Sequence, residues 1–370
     1  MSGIYIHIPF CHKRCIYCDF YLVTNLNLKE KFLSSLHKEI ELQSSHYGKD
    51  KFDTIYFGGG TPSILSPAEI SEIISRIKNI FNISEDAEIT LEANPEDLLN
   101  ISTLDLKEAG INRFSIGIQS FDNNELKFLS REHNDEQALE TVSKVKKDFA
   151  NYSVDIIYAI PGQDIPTLKK SLDKVIELAV PHISTYALTY EDNTVLGKML
   201  NEKKVNQNLS EPEMYMFVSD YLTENGYDHY EISSFCKPGF EAKHNSKYWN
   251  WDNYIGLGPS SHSFHDNTRW NNVKSMSAYF KSIENGEIPK ENFTELSVDD
   301  LKFEFIFTGL RSKGINLQNY KKLFNEDLLT TKEQALKELT DNNFGILKND
   351  RFTLTRKGFS LADEIITKYF

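Results

Sequence analysis

Six short runs in the first half of the chain are dense in Ile, Val, Tyr, Phe and Thr, at 4–8, 54–57, 88–92, 113–118, 154–158 and 182–188. β-Branched and aromatic residues suit a pleated, packed surface, so each run predicts a strand. Between them lie longer stretches with apolar residues at helical spacing. In 28–42, Phe32, Leu33, Leu36 and Ile40 share one face. In 67–81, Ser66 is placed as the cap and Pro67 as the first helical residue. The segment 103–109 stops at Gly110, and 168–178 follows the fifth strand. This alternation predicts an α/β protein with a parallel sheet and right-handed crossovers. Six such units predict a partial TIM-like (β/α)6 barrel, more open than the eight-stranded form. A flat doubly wound sheet is the alternative.

After about residue 200 the pattern changes. The stretch 211–225 reads as a helix ending at Gly226, and 227–270 is rich in aromatic residues and glycine. The last ~70 residues predict a small separate domain. Helical runs at 298–309 and 332–342 lead to a hairpin over 345–355 with a polar turn, then to a closing helix over 357–369. Helices with a short hairpin suggest a winged-helix-like module. The expected division is therefore a barrel over 1–200, an extension of it over 201–297 and a C-terminal domain over 298–370.

Composition narrows the class of protein. The 370 residues carry 41 basic and 54 acidic side chains, a net charge of −13. Phosphate contacts need a cationic surface, so nucleic acid is not the expected partner. No apolar run approaches the ~18 residues of a membrane span, and the N-terminus lacks the pattern of a signal peptide. Any membrane contact is then expected to be peripheral. A homodimer is left open.

Three of the four cysteines, Cys11, Cys15 and Cys18, fall within eight residues as C-x3-C-x2-C. A disulfide framework needs pairs, and only Cys236 lies elsewhere, reading as an ordinary semi-buried thiol. A structural zinc site usually takes four ligands as two short pairs. His12, a candidate fourth ligand, sits between two of the cysteines in a tight loop. Three thiolates suit a cubane iron–sulfur cluster with one iron left open to a small molecule. Reduced thiols grouped in this way predict a cytoplasmic protein. The motif resembles that of the radical S-adenosylmethionine (SAM) superfamily. The resemblance implies a [4Fe–4S] cluster on Cys11, Cys15 and Cys18, with SAM chelated to the open iron and cleaved to a 5′-deoxyadenosyl radical.

Unusual polar residues fall just after the predicted strands: Gly58-Gly59-Gly60-Thr61-Pro62, Glu92 with Ala93-Asn94-Pro95, Gln119-Ser120-Phe121, Pro161-Gly162-Gln163 and Thr189-Tyr190-Glu191. In a parallel barrel those ends share one rim, where active sites are built. The glycine run lacks the features of a Walker or Rossmann loop, but it lets backbone approach a ligand closely. Glu92 and Asp155, within strands, need partners if buried. Arg131 is suited to a carboxylate.

The resemblance extends further. Tyr5-Ile6-His7-Ile8-Pro9-Phe10-Cys11, Cys18-Asp19-Phe20, the 58–62 and 92–95 loops, 115–121, 155–162 and the C-terminal module are together similar to the oxygen-independent coproporphyrinogen III oxidase (HemN-like) family. The resemblance implies SAM contacts at Tyr5, Gly58, Gly59, Gly60, Thr61, Glu92, Gln119, Arg131, Asp155 and Ala187. Two departures separate the chain from the oxidase itself. Phe20 stands where the oxidase has a fourth cysteine, and the barrel begins at residue 3 without the oxidase's N-terminal extension. Both match the HemW branch of the family. His244-Asn245-Ser246-Lys247-Tyr248-Trp249 matches the H-N-x-x-Y-W motif associated there with heme. A neutral imidazole is a suitable axial ligand, and Tyr248, Trp249 and Trp251 could flank a flat ring. His244 is thus the expected heme contact, with His262 and His265 in reserve.

The function implied is that of a heme chaperone, which binds the cluster, SAM and heme and passes heme to apo-hemoproteins such as respiratory cytochromes. The alternative is the oxidase, with Tyr5 as a catalytic candidate and coproporphyrinogen III as substrate. A heme-degrading radical methyltransferase is a third reading. A fourth is a cluster- and SAM-binding protein whose 244–249 segment is only a packed loop.

Overall fold

The computed structural model describes residues 1–370. Six parallel strands pair in chain order: β1 (Ser2–Ile8), β2 (Lys51–Gly59), β3 (Asn82–Ala93), β4 (Arg113–Gln119), β5 (Tyr152–Tyr158) and β6 (His182–Ala187). A doubly wound sheet reverses its order at a switch point. This one does not, so right-handed crossovers lay every helix on the same face. The (β/α)6 expectation is met, and the flat alternative is not.

Alternation along each strand separates two faces. Ile4, Ile6 and Ile8 of β1 are fully buried and pack outward with Phe32, Leu36 and Ile40 of the helix Lys29–Tyr47. The intervening Tyr5 and His7 face inward, as do Thr54, Tyr56 and Gly58 of β2. The outer face is therefore apolar and the inner face polar. The helix Pro67–Ile80 begins as expected, with Ser66 and Glu69 in a reciprocal capping box. Gly110 takes φ +109° beyond the helix Thr103–Glu108. Between β3 and β5, three helices went unanticipated: Pro95–Asn100, Asn123–Phe128 and Asp135–Asp148.

The aromatic, glycine-rich stretch builds both edges of the sheet. β7 (Asp228–Glu231) and β8 (Ser234–Cys236) extend it beyond β6. β9 (Tyr254–Leu257) pairs parallel with β1, and β10 (His262–His265), β11 (Thr268–Asn272) and β12 (Lys290–Glu295) continue antiparallel from it. One buried cluster of 53 residues runs from Ile4 to Ile283, and a second of 14 lies between Ile306 and Ile366. Around the second core, β13 (Ile315–Asn316), β14 (Gly345–Lys348) and β15 (Arg351–Leu354) form a three-stranded sheet. Asn349 and Asp350 both take positive φ, the type I′ geometry of a two-residue hairpin. The predicted closing helix is broken into Arg356–Phe359 and Ala362–Tyr369. Arg269 of β11 grips Glu304 with two bonds of 2.7 and 2.6 Å. No helix is long and apolar enough to cross a membrane.

The fully buried Glu39 ties the first helix to the turn after β9. It accepts from Gly258 N–H at 2.8 Å, Tyr279 Oη at 2.6 Å and Asn272 Nδ2 at 2.5 Å. Burial pushes its carboxyl up to about 7 against these three donors. A carboxyl raised on folding binds its proton more tightly in the native state, so its contribution to stability falls as pH climbs from about 4.5 to 7. Glu39→Ala is expected to cost about 3 kcal/mol in urea unfolding, because three donors lose their acceptor. Glu39→Gln should cost less and flatten that pH slope; an unchanged slope would refute the assignment.

Candidate functional site

The C-terminal ends of the six strands open onto a cavity of about 530 Å³. Cys11, Cys15, Cys18, Gly59, Gly60, Thr61, Glu92, Gln119, Arg131, Asp155 and Ala187 all line it. Tyr5 and Gly58 lie one layer deeper. A side chain at Gly58 would come within 2.9 Å of Tyr5, 3.0 Å of Tyr56 and 3.1 Å of Glu92, so its absence lets those three groups converge.

The cysteine loop is held at both ends. Cys11 N–H donates to Val23 O at 3.1 Å, and Val23 N–H to Pro9 O at 2.6 Å. Arg14 braces the interior through Cys18 O at 3.2 Å and Leu22 O at 3.3 Å. The glycine run is bonded onto it, with Gly60 N–H to Ile8 O at 2.8 Å and Thr61 N–H to Phe10 O at 2.7 Å. All four cysteines are free thiols, and Cys236 is buried in β8, away from the loop. Cys11 Sγ lies 3.1 Å from Thr61 Oγ1, and Arg131 Nη1 donates to Cys15 Sγ at 3.8 Å. Burial pushes the Cys11 thiol up to about 11, opposed by the Thr61 hydroxyl, and raises that of Cys18. No three His, Cys, Asp or Glu side chains converge as a single bound ion requires. The three thiols instead share one wall of a roomy cavity, a donor set suited to a cluster rather than to one zinc.

Opposite that wall stand the polar groups. Glu92 accepts from Tyr56 Oη at 2.7 Å and from Gly59 N–H at 3.2 Å. Burial, with repulsion from Asp155, pushes it up to about 7 against these bonds. Burial also pushes Asp155 up to about 6, against the charge of Arg113 and a bond from Ser115 Oγ at 3.2 Å. Arg131 donates through Nη2 to Asn94 Oδ1 at 2.7 Å and Gly117 O at 2.8 Å, while its buried Nε has no partner. That orphaned donor fits an incoming carboxylate. Gln119 is held at φ +69°, a left-handed conformation that non-glycine residues rarely adopt. Tyr5 Oη donates to His7 Nδ1 at 3.3 Å.

His244, the expected heme contact, lies apart from this cavity and is buried. The helix Lys243–Asn250 plugs the opposite end of the barrel. Glu88 accepts the N–H groups of Lys243 and His244 at 3.1 and 3.0 Å, and Lys247 pairs with Asp53 at 2.5 Å and Met1 O at 2.8 Å. His244 is 1% exposed, and both ring nitrogens are engaged, Nδ1 with Thr54 Oγ1 at 2.8 Å and Nε2 with Tyr248 Oη at 2.9 Å. Burial pushes its pKa down to about 3, with the charges of Lys247 and Arg113 adding to the effect. Neither nitrogen has a free lone pair facing open space. Thr54 precedes Gly59 by five residues, so this floor lies roughly 16 Å below the mouth at strand spacing. Of the reserve histidines, His265 is held by Asp50 at 2.7 Å, and His262 is exposed with no hydrogen-bond partner.

Tyr56, Asn94 and Ser115 belong to the site but were given no role from the sequence. A signal existed for Tyr56, since it alternates with Thr54 and Gly58 on the polar side of β2. Asn94 and Ser115 act by holding Arg131 and Asp155, which only the fold brings near.

A six-stranded parallel barrel with three cysteines at its mouth defines the radical SAM class. The model of the radical SAM superfamily matches residues 5–175, and that of the HemN C-terminal domain matches 296–361. The structure of coproporphyrinogen III oxidase (HemN) from Escherichia coli has the same fold. Its TM-score is 0.84 at 21% identity, over 99% of this chain and 89% of that one. Among characterised relatives, the heme chaperone HemW of Lactococcus lactis is 33% identical over 100% of this chain and 97% of its own length. HemW of Bacillus subtilis is 31% identical over 99% and 98%. The chain belongs to the HemW family.

A methyl group at Gly60 would lie 2.6 Å from Phe10 O and 2.9 Å from Ile8 O, both backbone atoms. Gly60→Ala is expected to destabilise the apo-protein by about 2–3 kcal/mol and to detach the cysteine loop. The readouts are a lowered Tm and poor iron uptake on reconstitution. At Gly162 nothing lies within 4 Å, so Gly162→Ala serves as the control for backbone strain alone. Wild-type melting of Gly60→Ala would contradict the close approach.

Proposed function

We propose that this chain is a heme chaperone that holds a [4Fe–4S] cluster on Cys11, Cys15 and Cys18 and SAM beside it. It would deliver heme to apo-hemoproteins, respiratory cytochromes among them, in the cytoplasm. The observation that carries this reading is the end-to-end similarity to proteins named as heme chaperones. Phe20, 68% exposed at the mouth, stands where the oxidase has its fourth cysteine, and this favours the chaperone over the decarboxylase.

Cys11, Cys15 and Cys18 would hold the cluster, which would supply single-electron chemistry next to a bound SAM. The rest is done by the chain. Gly58, Gly59 and Gly60, with Thr61, let the ligand lie close to backbone. Arg131 Nε offers a donor to the carboxylate of SAM, and Glu92, Asp155 and Gln119 accept from its hydroxyl and ammonium groups. Tyr5 lies beneath this layer and Ala187 forms its far edge. The heme contact passes from His244 to His262, because a ligand must present a free nitrogen lone pair to open space. Contact with a membrane, where clients reside there, would be peripheral.

Two experiments test this reading. Carboxylates accept hydrogen bonds best when ionised, so SAM affinity should rise as pH climbs through about 7, the value to which Glu92 is pushed. Glu92→Gln should weaken binding and remove the rise; a pH-independent affinity would count against Glu92 as a ligand. In the second, the anaerobically reconstituted protein is titrated with heme and followed optically. A saturable band is expected in the wild type and in His244→Ala, with about tenfold weaker binding in His262→Ala, the scale of a lost axial contact. Conversion of coproporphyrinogen III to protoporphyrinogen IX would instead establish the oxidase.

A further inference from the structure

The H-N-x-x-Y-W segment lies beneath the polar groups of the mouth and is joined to them through its histidine. Its histidine is the lowest layer of a stack that rises to the polar groups of the mouth. The His244 ring lies 5.0 Å from that of Tyr56, with 25° between their planes, and Tyr56 stacks on Tyr5 at 6.1 Å and 21°. Tyr56 Oη donates to Glu92 Oε1 at 2.7 Å, and the other oxygen of Glu92 takes the N–H of Gly59 in the glycine run. His244 is itself pinned from two sides, by Thr54 of β2 and by Tyr248 one helical turn on. Glu88 of β3, the strand that carries Glu92, caps the same helix. His244 and Tyr56 are buried and Glu92 is half-buried, and each link between them is a direct contact.

We propose that His244 is a positioning residue for SAM: it sets the ring of Tyr56, and through Tyr56 the Glu92 carboxylate, from the floor of the barrel. The segment then serves the mouth from below. Tyr248 has two jobs. It fixes the tautomer and plane of His244, and it closes the floor by packing edge-on against Tyr254 at 4.7 Å. Gly3 belongs to the same device, since a side chain there would meet Lys247 at 2.9 Å and His244 at 3.1 Å.

This inference rests on the reading that SAM binds at Glu92, and its test separates the two. SAM affinity is measured anaerobically on the reconstituted full-length protein as a function of pH, for wild type, His244→Ala, His244→Gln, Thr54→Val and Tyr248→Phe. The groups facing Glu92 are Tyr5 from β1, Tyr56 from β2, Asp155 from β5, Tyr186 from β6 and Tyr248 from the floor helix. Asp155 is the one carboxylate among them, and none of the substitutions in the series removes a bond to it. The bond from Tyr56 favours ionised Glu92. Loosening Tyr56 should therefore move the pH midpoint of SAM binding upward and weaken binding at neutral pH by about five- to tenfold, the scale of one ordinary hydrogen bond, because the bond to Glu92 is loosened rather than removed. Thr54→Val, outside the motif, should shift the midpoint in the same direction, and His244→Gln should recover part of it. A general loss of packing would lower affinity at every pH without moving the midpoint, and that result overturns the proposal. So does an unmoved affinity in Thr54→Val and Tyr248→Phe, the two variants that remove a single hydroxyl contact. Failure of the wild type to bind SAM at any pH would instead overturn the underlying function.

Discussion

A sheet of six parallel strands, wound in one direction, leaves an inner face that its own side chains cannot fill. Most of the structure answers that constraint. The apolar positions of each strand are consumed by the outer helices, so what faces inward is polar: Tyr5, His7, Thr54, Tyr56, Glu88, Glu92, Arg113, Ser115, Ser153, Asp155, His182 and Ser184. Buried polar groups must be bonded to one another or opened to water or ligand. This chain does both, at opposite ends. At the floor the groups close on each other, as in the Ser153–His182–Tyr230 chain of 2.7 Å bonds and the capping of the 243–250 helix by Glu88. At the mouth they are left with donors and acceptors to spare, the Nε of Arg131 among them.

The division has an electrostatic consequence. Carboxylates withdrawn from water without a full countercharge are pushed upward, and Glu92 and Asp155 both stand near neutrality. Such groups respond to the charge of whatever enters the cavity. The floor histidines, His182 and His244, are driven the other way and stay neutral. A neutral imidazole with both nitrogens bonded is a rigid spacer, and it suits a position beneath the layer where charge is meant to change.

The edges of the sheet show how the remainder of the chain is used. The segment from 228 to 295 caps both open edges with short strands, and the helix that bridges the two sets is the one that seals the floor. Edge pairing and floor plugging are thus parts of one operation, with Glu39 anchoring the return on the β9 side. Arg269 and Glu304 then fasten the C-terminal domain to this scaffold through a forked pair.

The barrel strands, their order of appearance and the cysteine, glycine and acidic positions at the rim were all legible in the sequence. Strand composition, helix caps such as Ser66 and a three-cysteine spacing are local properties, carried by residues a few positions apart. The strands β7 to β12 were not legible, because runs of three to six residues broken by glycine and turns are too short to display a period. The place of His244 was the larger gap. Flanked by tyrosine and tryptophan, it carries the marks of an open aromatic site, and nothing within ten residues indicates that Thr54 and Glu88 will close around it. The sequence by itself determined the family, the class of fold and the donor set at the mouth. Which polar residues face a ligand and which face each other was decided only by tertiary structure, because burial and hydrogen-bond partners depend on strands that meet from 150 or more residues away.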